Sequence, residues 1–329
     1  MELGIGLRPC ITAVALAAML AIAGSAVAKA ETLRLGHITP PSHVWHKVAA
    51  RFAENLGTRG DDGFEVAISP LSKLGNEPVM ISLLQTGAMH FALLTAGGLS
   101  NRVEALNGWF LPYVFEDVRD AGNAIKLPAA QAMLKQLEAH GLIGLGYAFA
   151  GQRHVLSIAP VTEPGDLVHK KIRAFPSAVF NDWWLAVGAA PTALPLGEIA
   201  SSLTTKLLDA VDVDLDIVVG LKFYEQAPYL ALTNHMAFPA VMVASKKWWD
   251  GLSASQQVLI REAYAEAEAW GIDQQALAEV ANLQALKDAG TEVTEIKRAQ
   301  FREIGSQVRN LYTANNSTIA DFYKQVSGH

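Results

Sequence analysis

Short apolar runs alternate with stretches of helical spacing in the first part of the chain. Residues 32–37 alternate between apolar and polar positions, and residues 64–69 and 91–95 have the composition of two further strands. Between them, residues 43–56 and 78–86 have the repeat of amphipathic helices. Because strands that alternate with helices form parallel sheets covered on both faces, this order predicts an α/β fold.

A second set of elements begins near Gly151. The pattern predicts strands over residues 171–174 and 208–215 and a helix over residues 178–187. A chain of 329 residues is longer than a single hydrophobic core usually fills. We therefore expect two α/β lobes.

One long helix is predicted after Ser253. Residues 253–256 have the form of a capping box, and Gly290 is a natural C-terminal stop. A helix of about 36 residues is roughly 54 Å long, which exceeds the width of one lobe, so it is expected to span both. Its predicted apolar stripe consists of Leu259, Ala263, Trp270, Leu277 and Val280.

The first thirty residues have the pattern of a signal peptide. Arg8 precedes an apolar run over residues 11–24 that is too short to span a bilayer, and small residues follow it. We expect export to the periplasm with cleavage after Ala28 or Ala30. Cys10, the only cysteine, precedes the apolar run, so cleavage leaves a chain without disulfides or thiol chemistry.

The composition is globular and the charge is mildly acidic. Hydrophobic residues make up 51% of the chain, and the net charge is -6, which leaves no strongly basic surface for nucleic acid. An anion must therefore be bound by individually placed arginines.

Several longer phrases occur in a fixed order. They are LRLGHITPPSHVWHKVAARFAE, SKLGNEP, LLQTGAMHFALLTA, LPYVFED, GQRHVLSIAPVTEPGDLVHKKIRAFPS, GAAPTALPLGE, SLTTKLLDAVDVD, KFYEQAPYLALTNH and ASKKWWDGLS. In order and spacing they resemble the DctP-type solute-binding proteins of tripartite ATP-independent periplasmic (TRAP) transporters. The resemblance covers nearly the whole chain after residue 30. It implies a two-lobed periplasmic-binding-protein-like fold, with a long helix spanning both lobes and a ligand enclosed between them.

The implied lobes are discontinuous along the chain. Residues 31–150 and about 239–278 are expected in the first lobe, and residues 151–238 and about 279–329 in the second. The implied partners are a small organic anion and the small and large membrane subunits of a TRAP permease. Delivery to a sensor kinase stays open. We expect a monomer without a cofactor.

Two arginines are the main candidates for ligand binding. Arg173 ends the strand sequence KKIRA, and the planar five-donor fork of an arginine matches a carboxylate. The resemblance implies that Arg173 pairs with the ligand carboxylate and that Arg153 approaches the same carboxylate or its water. The alternatives are a solvated charge for Arg173 and a structural salt bridge between the lobes for Arg153.

Acidic residues follow in the alternating sequence DAVDVDLD, which predicts Asp212, Asp214 and Asp216 on one strand face. The resemblance implies that Asp212 orients an arginine from behind and that His235 joins this polar network. Asp214 and Asp216 are expected on a solvated face. A cation held by Asp212 and Asp214 stays open as an alternative.

The walls of the cleft are predicted from strand ends and from departures from the family pattern. Ligands bind beyond the carboxyl ends of parallel strands, and helix starts and loops there close over them. Val213 stands where the family often has Asn, and Leu196 where an aromatic residue is frequent, which makes the pocket less polar than that of a sugar-acid binder. The first-lobe residues expected there are Ile38, Thr39, Asn76, Thr95 and Ala96.

Aromatic side chains are dense near the same place. Phe175 is expected to touch the ligand, whereas most of the others are expected in the core, with only one of Trp183 and Trp184 facing inward. The resulting hypothesis is a binder of a monocarboxylate with an apolar or aromatic body. Uronates and cation-assisted binding of 2-oxo or 2-hydroxy acids are alternatives.

A metal-dependent enzyme is a further alternative. His37, His43 and His46 lie close in sequence, and His43 and His46 have the spacing to share a helix face. The sequence offers neither a GxSxG motif nor an acidic third ligand at a catalytic spacing nearby. We therefore expect a binding protein and not an enzyme.

Overall fold

The computed structural model describes residues 32–59 and 64–328. The strands are β1 (Thr32–Gly36), β2 (Glu65–Ser69), β3 (Phe91–Thr95), β4 (Leu142–Gln152), β5 (His154–Ser157), β6 (Lys171–Ala174), β7 (Ala190–Ala193), β8 (Ala210–Val213), β9 (Tyr229–Ala231), β10 (Ala237–Ser245) and β11 (Glu292–Thr294). The α-helices are α1 (Val44–Arg59), α2 (Glu77–Thr86), α3 (Ala96–Leu99), α4 (Val118–Ala124), α5 (Pro128–Gln136), α6 (Ala178–Val187), α7 (Ile199–Thr204), α8 (Leu215–Gly220), α9 (Lys246–Trp249), α10 (Ala254–Asp288), α11 (Arg298–Asn315) and α12 (Ser317–Ser327). Short 3₁₀ helices cover Glu104–Phe110, Leu137–His140, Pro164–Leu167, Leu196–Glu198 and Phe223–Glu225.

The first lobe is built on a mixed sheet with the strand order β2-β1-β3-β10-β4. β1 pairs in parallel with β2 and β3, and β10 runs antiparallel between β3 and β4. Every residue of β3 and β10 is buried. These two strands are near-continuous apolar runs because helices and loops cover both faces of the sheet.

The second lobe is built on a six-stranded sheet with the order β11-β9-β5-β8-β6-β7. β6 pairs in parallel with β7 and β8, whereas β5 runs antiparallel to both β8 and β9. β6 and β8 are parallel neighbours, so their carboxyl ends lie at the same edge of the sheet. Arg173 and Val213, at those ends, line a cavity together with Ile38 of the first lobe.

The chain crosses between the two sheets at two adjacent places. β4 leads directly into β5 through Arg153, and residues 232–236 lead from β9 back to β10. The two crossings are hydrogen-bonded to each other, since the Arg153 amide donates to the Met236 carbonyl at 2.8 Å and the His235 amide donates to the Arg153 carbonyl at 3.2 Å. We call residues 152–154 and 232–236 the connecting segments.

The long helix α10 also joins the lobes. It packs against β4 and α1 of the first lobe and against α8 of the second. The predicted capping box is confirmed, because the Ser253 hydroxyl accepts from the Gln256 amide at 3.2 Å and the Gln256 side chain accepts from the Ser253 amide at 2.9 Å. Thirty-five residues at 1.5 Å each give about 52 Å.

The predicted apolar stripe of α10 is wrong in its second half. Leu277 is 62% and Val280 is 73% exposed. The helix turns different faces to the two lobes, so one heptad-like stripe does not describe both contacts. The residues buried along it are Ile260, Ala263, Tyr264, Ala267, Gly271, Gln275 and Leu286.

The strand predicted over residues 208–215 is shorter than expected. β8 stops at Val213, and the Asp214 carboxylate accepts from the Ile217 amide at 2.9 Å, which makes Asp214 the N-cap of α8. Asp212, Asp214 and Asp216 therefore do not share one strand face. The solvated face expected for Asp214 and Asp216 is also wrong, because both residues are buried.

Some expectations concern parts of the chain that the structure does not test. The predicted signal peptide lies outside the described residues. Within residues 32–59 and 64–328, every helix is too short or too polar to cross a lipid bilayer. The boundaries of the lobes stay a prediction, and α12, placed in the second lobe from sequence, contacts α5 of the first.

Candidate functional site

A cavity in two parts lies between the lobes. The inner chamber has a volume of about 30 Å³, and the outer cavity about 330 Å³. Ile38, Arg173, Phe175 and Leu196 line both parts, which makes them one continuous site. The inner part fits one small group, since a water occupies roughly 30 Å³ of liquid, and the outer part fits the body of a small organic molecule.

Most of the residues predicted at the site line this cavity. The inner chamber is formed in part by Thr39, Arg153 and Val213, and the outer cavity in part by Asn76. The remaining predicted residues, Asp212, His235, Thr95 and Ala96, are buried and do not line either part. Asp212 and His235 are hydrogen-bonded to Arg153, and Thr95 is hydrogen-bonded to Glu77, whereas Ala96 follows Thr95 away from the cavity wall.

Arg153 is held by two carboxylates. Its Nε donates to Asp212 Oδ1 at 2.5 Å, and its Nη1 donates to Asp214 Oδ2 at 3.0 Å. Its Nη2 donates to the Asp212 carbonyl. The guanidinium also lies 4.3 Å from the ring centre of Phe238. Arg153 thus forms a buried salt bridge, with most of its donors already used by the protein.

Asp212 is the centre of this network. Its Oδ2 accepts from Trp184 Nε1 at 2.8 Å and lies 3.1 Å from His235 Nε2. Burial alone would raise the pKa of Asp212, but the charge of Arg153 and the contact with His235 oppose it and hold the pKa below its usual value. Asp212 is therefore a carboxylate that fixes the orientation of Arg153.

Arg173 is placed differently. Only 4% of the residue is exposed, and within the described residues its guanidinium makes a single hydrogen bond, from Nε to the Leu194 carbonyl at 3.1 Å. Burial, together with the nearby charge of Arg153, lowers the pKa of Arg173 to about 10. The terminal nitrogens of Arg173 form a positively charged fork at the cavity without a carboxylate on it.

Glu77 is a cavity residue that the sequence reasoning missed. It lines the outer cavity, and its carboxylate accepts from the Thr95 amide at 2.6 Å and from the Thr95 hydroxyl at 2.8 Å. Burial raises the pKa of Glu77 to about 7, while the Thr95 hydrogen bonds and Arg173 oppose this shift. The sequence feature that could have identified Glu77 is its position next to Asn76, a predicted site residue, in the phrase SKLGNEP.

Gly98 leaves room for Glu77. A Cβ added at Gly98 would lie 2.6 Å from Glu77 Oε2, so any other residue there would displace the carboxylate or its hydrogen bonds. Thr95 and Gly98 together hold Glu77 at the cavity wall.

The walls around the two arginines are aromatic and aliphatic. Trp45 stacks on Phe238 with ring centres 5.9 Å apart, and the Phe175 ring centre lies 5.7 Å from the Arg173 guanidinium carbon. Trp183 and Trp184 are both fully buried, so the expectation that only one of them faces inward is wrong. Both rings pack on His235 and contact each other, with ring centres 5.7 Å apart, and Trp184 also donates to Asp212.

The acidic residues do not fit a cation site. Both oxygens of Asp212 are already bonded, to Arg153 on one side and to Trp184 and His235 on the other. Among residues 32–59 and 64–328, the group close enough to share an ion is His43, Asp214 and Asp216. In that group, His43 Nδ1 accepts from the Trp45 amide at 3.0 Å, so the neutral ring carries its proton on Nε2, which lies 3.6 Å from Asp214 Oδ1 and has no lone pair for a cation.

The three histidines considered for an enzyme do not form a metal-binding group among the described residues. His46 Nδ1 lies 3.0 Å from His37 Nε2, whereas His43 precedes α1 and faces Asp214 at 3.6 Å. The expectation that His43 and His46 share a helix face is wrong, because the helix begins at Val44.

Comparisons with known proteins agree on the family. The model of the DctP family, bacterial extracellular solute-binding protein family 7, matches residues 35–315. The 2,3-diketo-L-gulonate-binding periplasmic protein YiaO of Escherichia coli (strain K12) is 30% identical over 97% of this chain and 98% of its own length. The C4-dicarboxylate-binding periplasmic protein DctP of Rhodobacter capsulatus is 28% identical over 90% of both.

Solved structures show the same architecture. A TRAP periplasmic solute-binding protein from Bradyrhizobium sp. BTAi1, in complex with galacturonate, has a TM-score of 0.86 and 26% identity, covering 91% of this chain and 100% of its own. The sugar acid binding protein DctPAm from Advenella mimigardefordensis strain DPN7T, in complex with galactonate, has a TM-score of 0.87 and 25% identity, covering 91% and 99%. The two-lobed fold expected from the sequence is confirmed.

Proposed function

Because the chain belongs to the DctP family of bacterial extracellular solute-binding proteins, we propose that it captures an organic acid between its lobes and delivers it to a TRAP-type membrane permease. The family is one of binding proteins, so the chain is not an enzyme. Its place of action is the periplasm, as in the relatives named for that compartment.

The observation that carries this proposal is the free fork of Arg173. A buried arginine whose terminal nitrogens meet no carboxylate is unfavourable unless an anion completes it. The contrast with Arg153, which has Asp212 and Asp214, makes Arg173 the group that binds the ligand carboxylate. The inner chamber beside it has the size of one such group.

The body of the ligand lies in the outer cavity. Its walls include Phe175, Leu196 and Pro195, and the inner chamber adds Val213 and Phe238. These side chains offer no hydrogen-bond partner, and a hydroxyl buried against them without one costs about 1 to 3 kcal/mol. We therefore favour a monocarboxylate whose body is apolar or aromatic next to the acid group.

A uronate or another sugar acid is the second candidate, and Glu77 favours it. Glu77, Asn76 and Ser72 also line the outer cavity and are polar. An ionised carboxylate there accepts hydrogen bonds from sugar hydroxyls. The relatives in complex with galacturonate and galactonate are consistent with this candidate.

Binding is proposed to close the lobes about the connecting segments and α10. Ligand shifts the equilibrium toward the closed form because it contacts Arg173 of the second lobe and Ile38 or Asn76 of the first at the same time. His43 of the first lobe lies 3.6 Å from Asp214 of the second, so closure also brings these two side chains together.

The test is titration calorimetry of the purified protein against benzoate, short 2-oxo and 2-hydroxy acids, D-galacturonate, D-glucuronate and succinate. The proposal requires that at least one monocarboxylate binds and that its uncharged amide does not. Tight uronate binding with no response to apolar acids would select the second candidate. Absence of binding by every acid, with a neutral solute found bound after purification by native mass spectrometry, would refute both.

A further inference from the structure

A second cavity lies on the other side of the connecting segments from the ligand site. It has a volume of about 200 Å³ and shares no lining residue with the inner chamber or the outer cavity. At roughly 30 Å³ per water it has room for about six waters or one small organic molecule. We call it the junction cavity, because both connecting segments and α10 contribute to its wall.

Polar groups of the connecting segments are buried at this wall. Gln152 is 4% and His154 is 3% exposed. Within the described residues, both amide atoms of the Gln152 side chain and Nδ1 of His154 are buried without a hydrogen-bond partner. Buried polar atoms without partners are rare in native proteins, so water or another molecule in the cavity is expected to bond with these atoms.

The charge of the wall is negative. Glu116, Asp117 and Glu279 contribute carboxyl groups, and the described residues that line the cavity include neither lysine nor arginine. Glu116 is paired with Arg302 outside the cavity, and Asp117 caps α4 by accepting two backbone amides at 2.8 Å. Glu279 Oε1 accepts from the Gln152 backbone amide at 2.7 Å, and its Oε2 makes no hydrogen bond with the described residues.

The rest of the wall is apolar. Leu215, Leu232, Val280 and Leu283 surround the acidic groups, and Val280 is 73% exposed at the entrance. An alkyl chain is stabilised by such a wall, and an ammonium group supplies three donors and a positive charge to carboxylates and an amide oxygen.

We propose that the junction cavity is a second binding site, for a small organic molecule that carries a primary ammonium group on an alkyl chain. Glu279 and Gln152 receive the ammonium group, and the leucines contact the chain. Burial raises the pKa of Glu279 to about 7, and a bound ammonium group would stabilise its ionised form.

Pentylamine is the probe, measured against the neutral pentanol of the same chain length. Calorimetry and crystals grown with pentylamine report affinity and position. We expect pentylamine to bind in the junction cavity at least tenfold more tightly than pentanol. Equal binding of the two, or crystals in which the cavity holds only water, would overturn the proposal.

Glu279→Gln removes the charge but keeps an oxygen for the Gln152 amide. It is expected to weaken pentylamine binding at least tenfold. Glu268→Gln is the matched control, because Glu268 lies on the same helix, accepts the Tyr147 amide at 2.6 Å in the same way and does not line the cavity. The same affinity in both variants would contradict the assigned role of Glu279.

Val280→Phe tests the cavity without touching a buried polar group. The exposed position tolerates a larger side chain, which fills the entrance, so pentylamine binding is expected to be lost while the melting temperature stays unchanged.

A second probe, Nα-acetyl-lysine methylamide, distinguishes a lysine side chain from a free amine as the source of the ammonium group. Its binding assigns the site to a lysine side chain of another protein, and binding of pentylamine alone assigns it to a free amine; binding of neither overturns the proposal.

Discussion

Arg153 and Arg173 line the same inner chamber, but only Arg153 is paired with carboxylates of the protein. The charge of Arg153 is balanced by Asp212 and Asp214, so it needs no ligand to complete it. Arg173 has no ion pair within 4 Å among the described residues, and burial and the charge of Arg153 lower its pKa more than the charges of Asp212, Asp214 and Glu77 raise it. The two arginines therefore have separable effects, one on folding and one on binding.

Arg173→Ala is expected to abolish binding of the tightest acid found in the calorimetric panel. Loss of one partner of a buried charged pair costs about 2 to 5 kcal/mol. Arg173→Lys should also weaken binding strongly, because an ammonium group does not reproduce the planar fork. The control is Arg51→Ala on the exposed face of α1. Unchanged affinity in both Arg173 variants would contradict the proposed function.

Arg153→Ala is expected to destabilise the protein by about 3 to 5 kcal/mol, because it leaves two buried carboxylates unpaired. Arg173→Ala should have a much smaller effect, since it removes a buried charge that has one hydrogen bond to a carbonyl. Urea unfolding of ligand-free protein measures both. Equal destabilisation would mean that Arg173 has a structural role similar to that of Arg153.

The sequence predicted the architecture because each element carried its own signal. The strand at residues 91–95, the helix at 178–187 and the capping box at Ser253 depend on neighbours along the chain, and all three are confirmed. The lining of the cavity by Arg173 and Phe175 followed from their position at the end of a strand.

The incorrect predictions concern residues whose structure depends on contacts between segments that are distant in sequence. Asp214 continues an alternating pattern, but its carboxylate caps α8 and pairs with Arg153, so neither the end of the strand nor its burial is visible locally. Leu277 and Val280 continue the repeat of α10 where no lobe covers it. Glu77 was missed because only its hydrogen bonds to Thr95 turn it toward the cavity.

Stability is expected to depend on pH through Glu268. Burial raises the pKa of Glu268 from 4.5 to about 7 in the folded state, so between these values the folded protein binds more protons than the unfolded chain. The free energy of unfolding therefore falls as the pH rises from about 4.5 to about 7. The contribution has an upper limit of about 3 kcal/mol at 1.36 kcal/mol per pKa unit.

Glu268→Gln keeps an acceptor for the Tyr147 amide and removes the titration. Urea unfolding at a series of pH values should show the variant gaining stability relative to the parent protein as the pH rises toward 8. Parallel curves for the two proteins would show that Glu268 titrates at its usual pKa and is not desolvated.

Glu77→Gln separates the two ligand candidates. A sugar hydroxyl that donates to an ionised carboxylate forms a hydrogen bond of about 1.5 to 3 kcal/mol, so the variant should bind D-galacturonate at least tenfold more weakly at pH 8, where Glu77 is ionised. Benzoate has no hydroxyl, and its affinity should be unchanged or higher because a negative charge is removed from the cavity. Calorimetry with both acids measures the difference, and Glu65→Gln on β2 is a surface control.

The pH dependence of ligand affinity in the unsubstituted protein also distinguishes the two ligand candidates. Since the pKa of Glu77 is about 7, its carboxylate is mostly protonated at pH 6 and mostly ionised at pH 8. A protonated carboxyl loses the charge that strengthens the bond to a hydroxyl, so D-galacturonate should bind more weakly at pH 6, whereas benzoate should not.

Gly98→Ala should have the same effect on binding as Glu77→Gln, because the added methyl group pushes the Glu77 carboxylate from its place beside Thr95. Equal losses for both acids in all three measurements would show that Glu77 maintains the shape of the cavity and does not contact the body of the ligand.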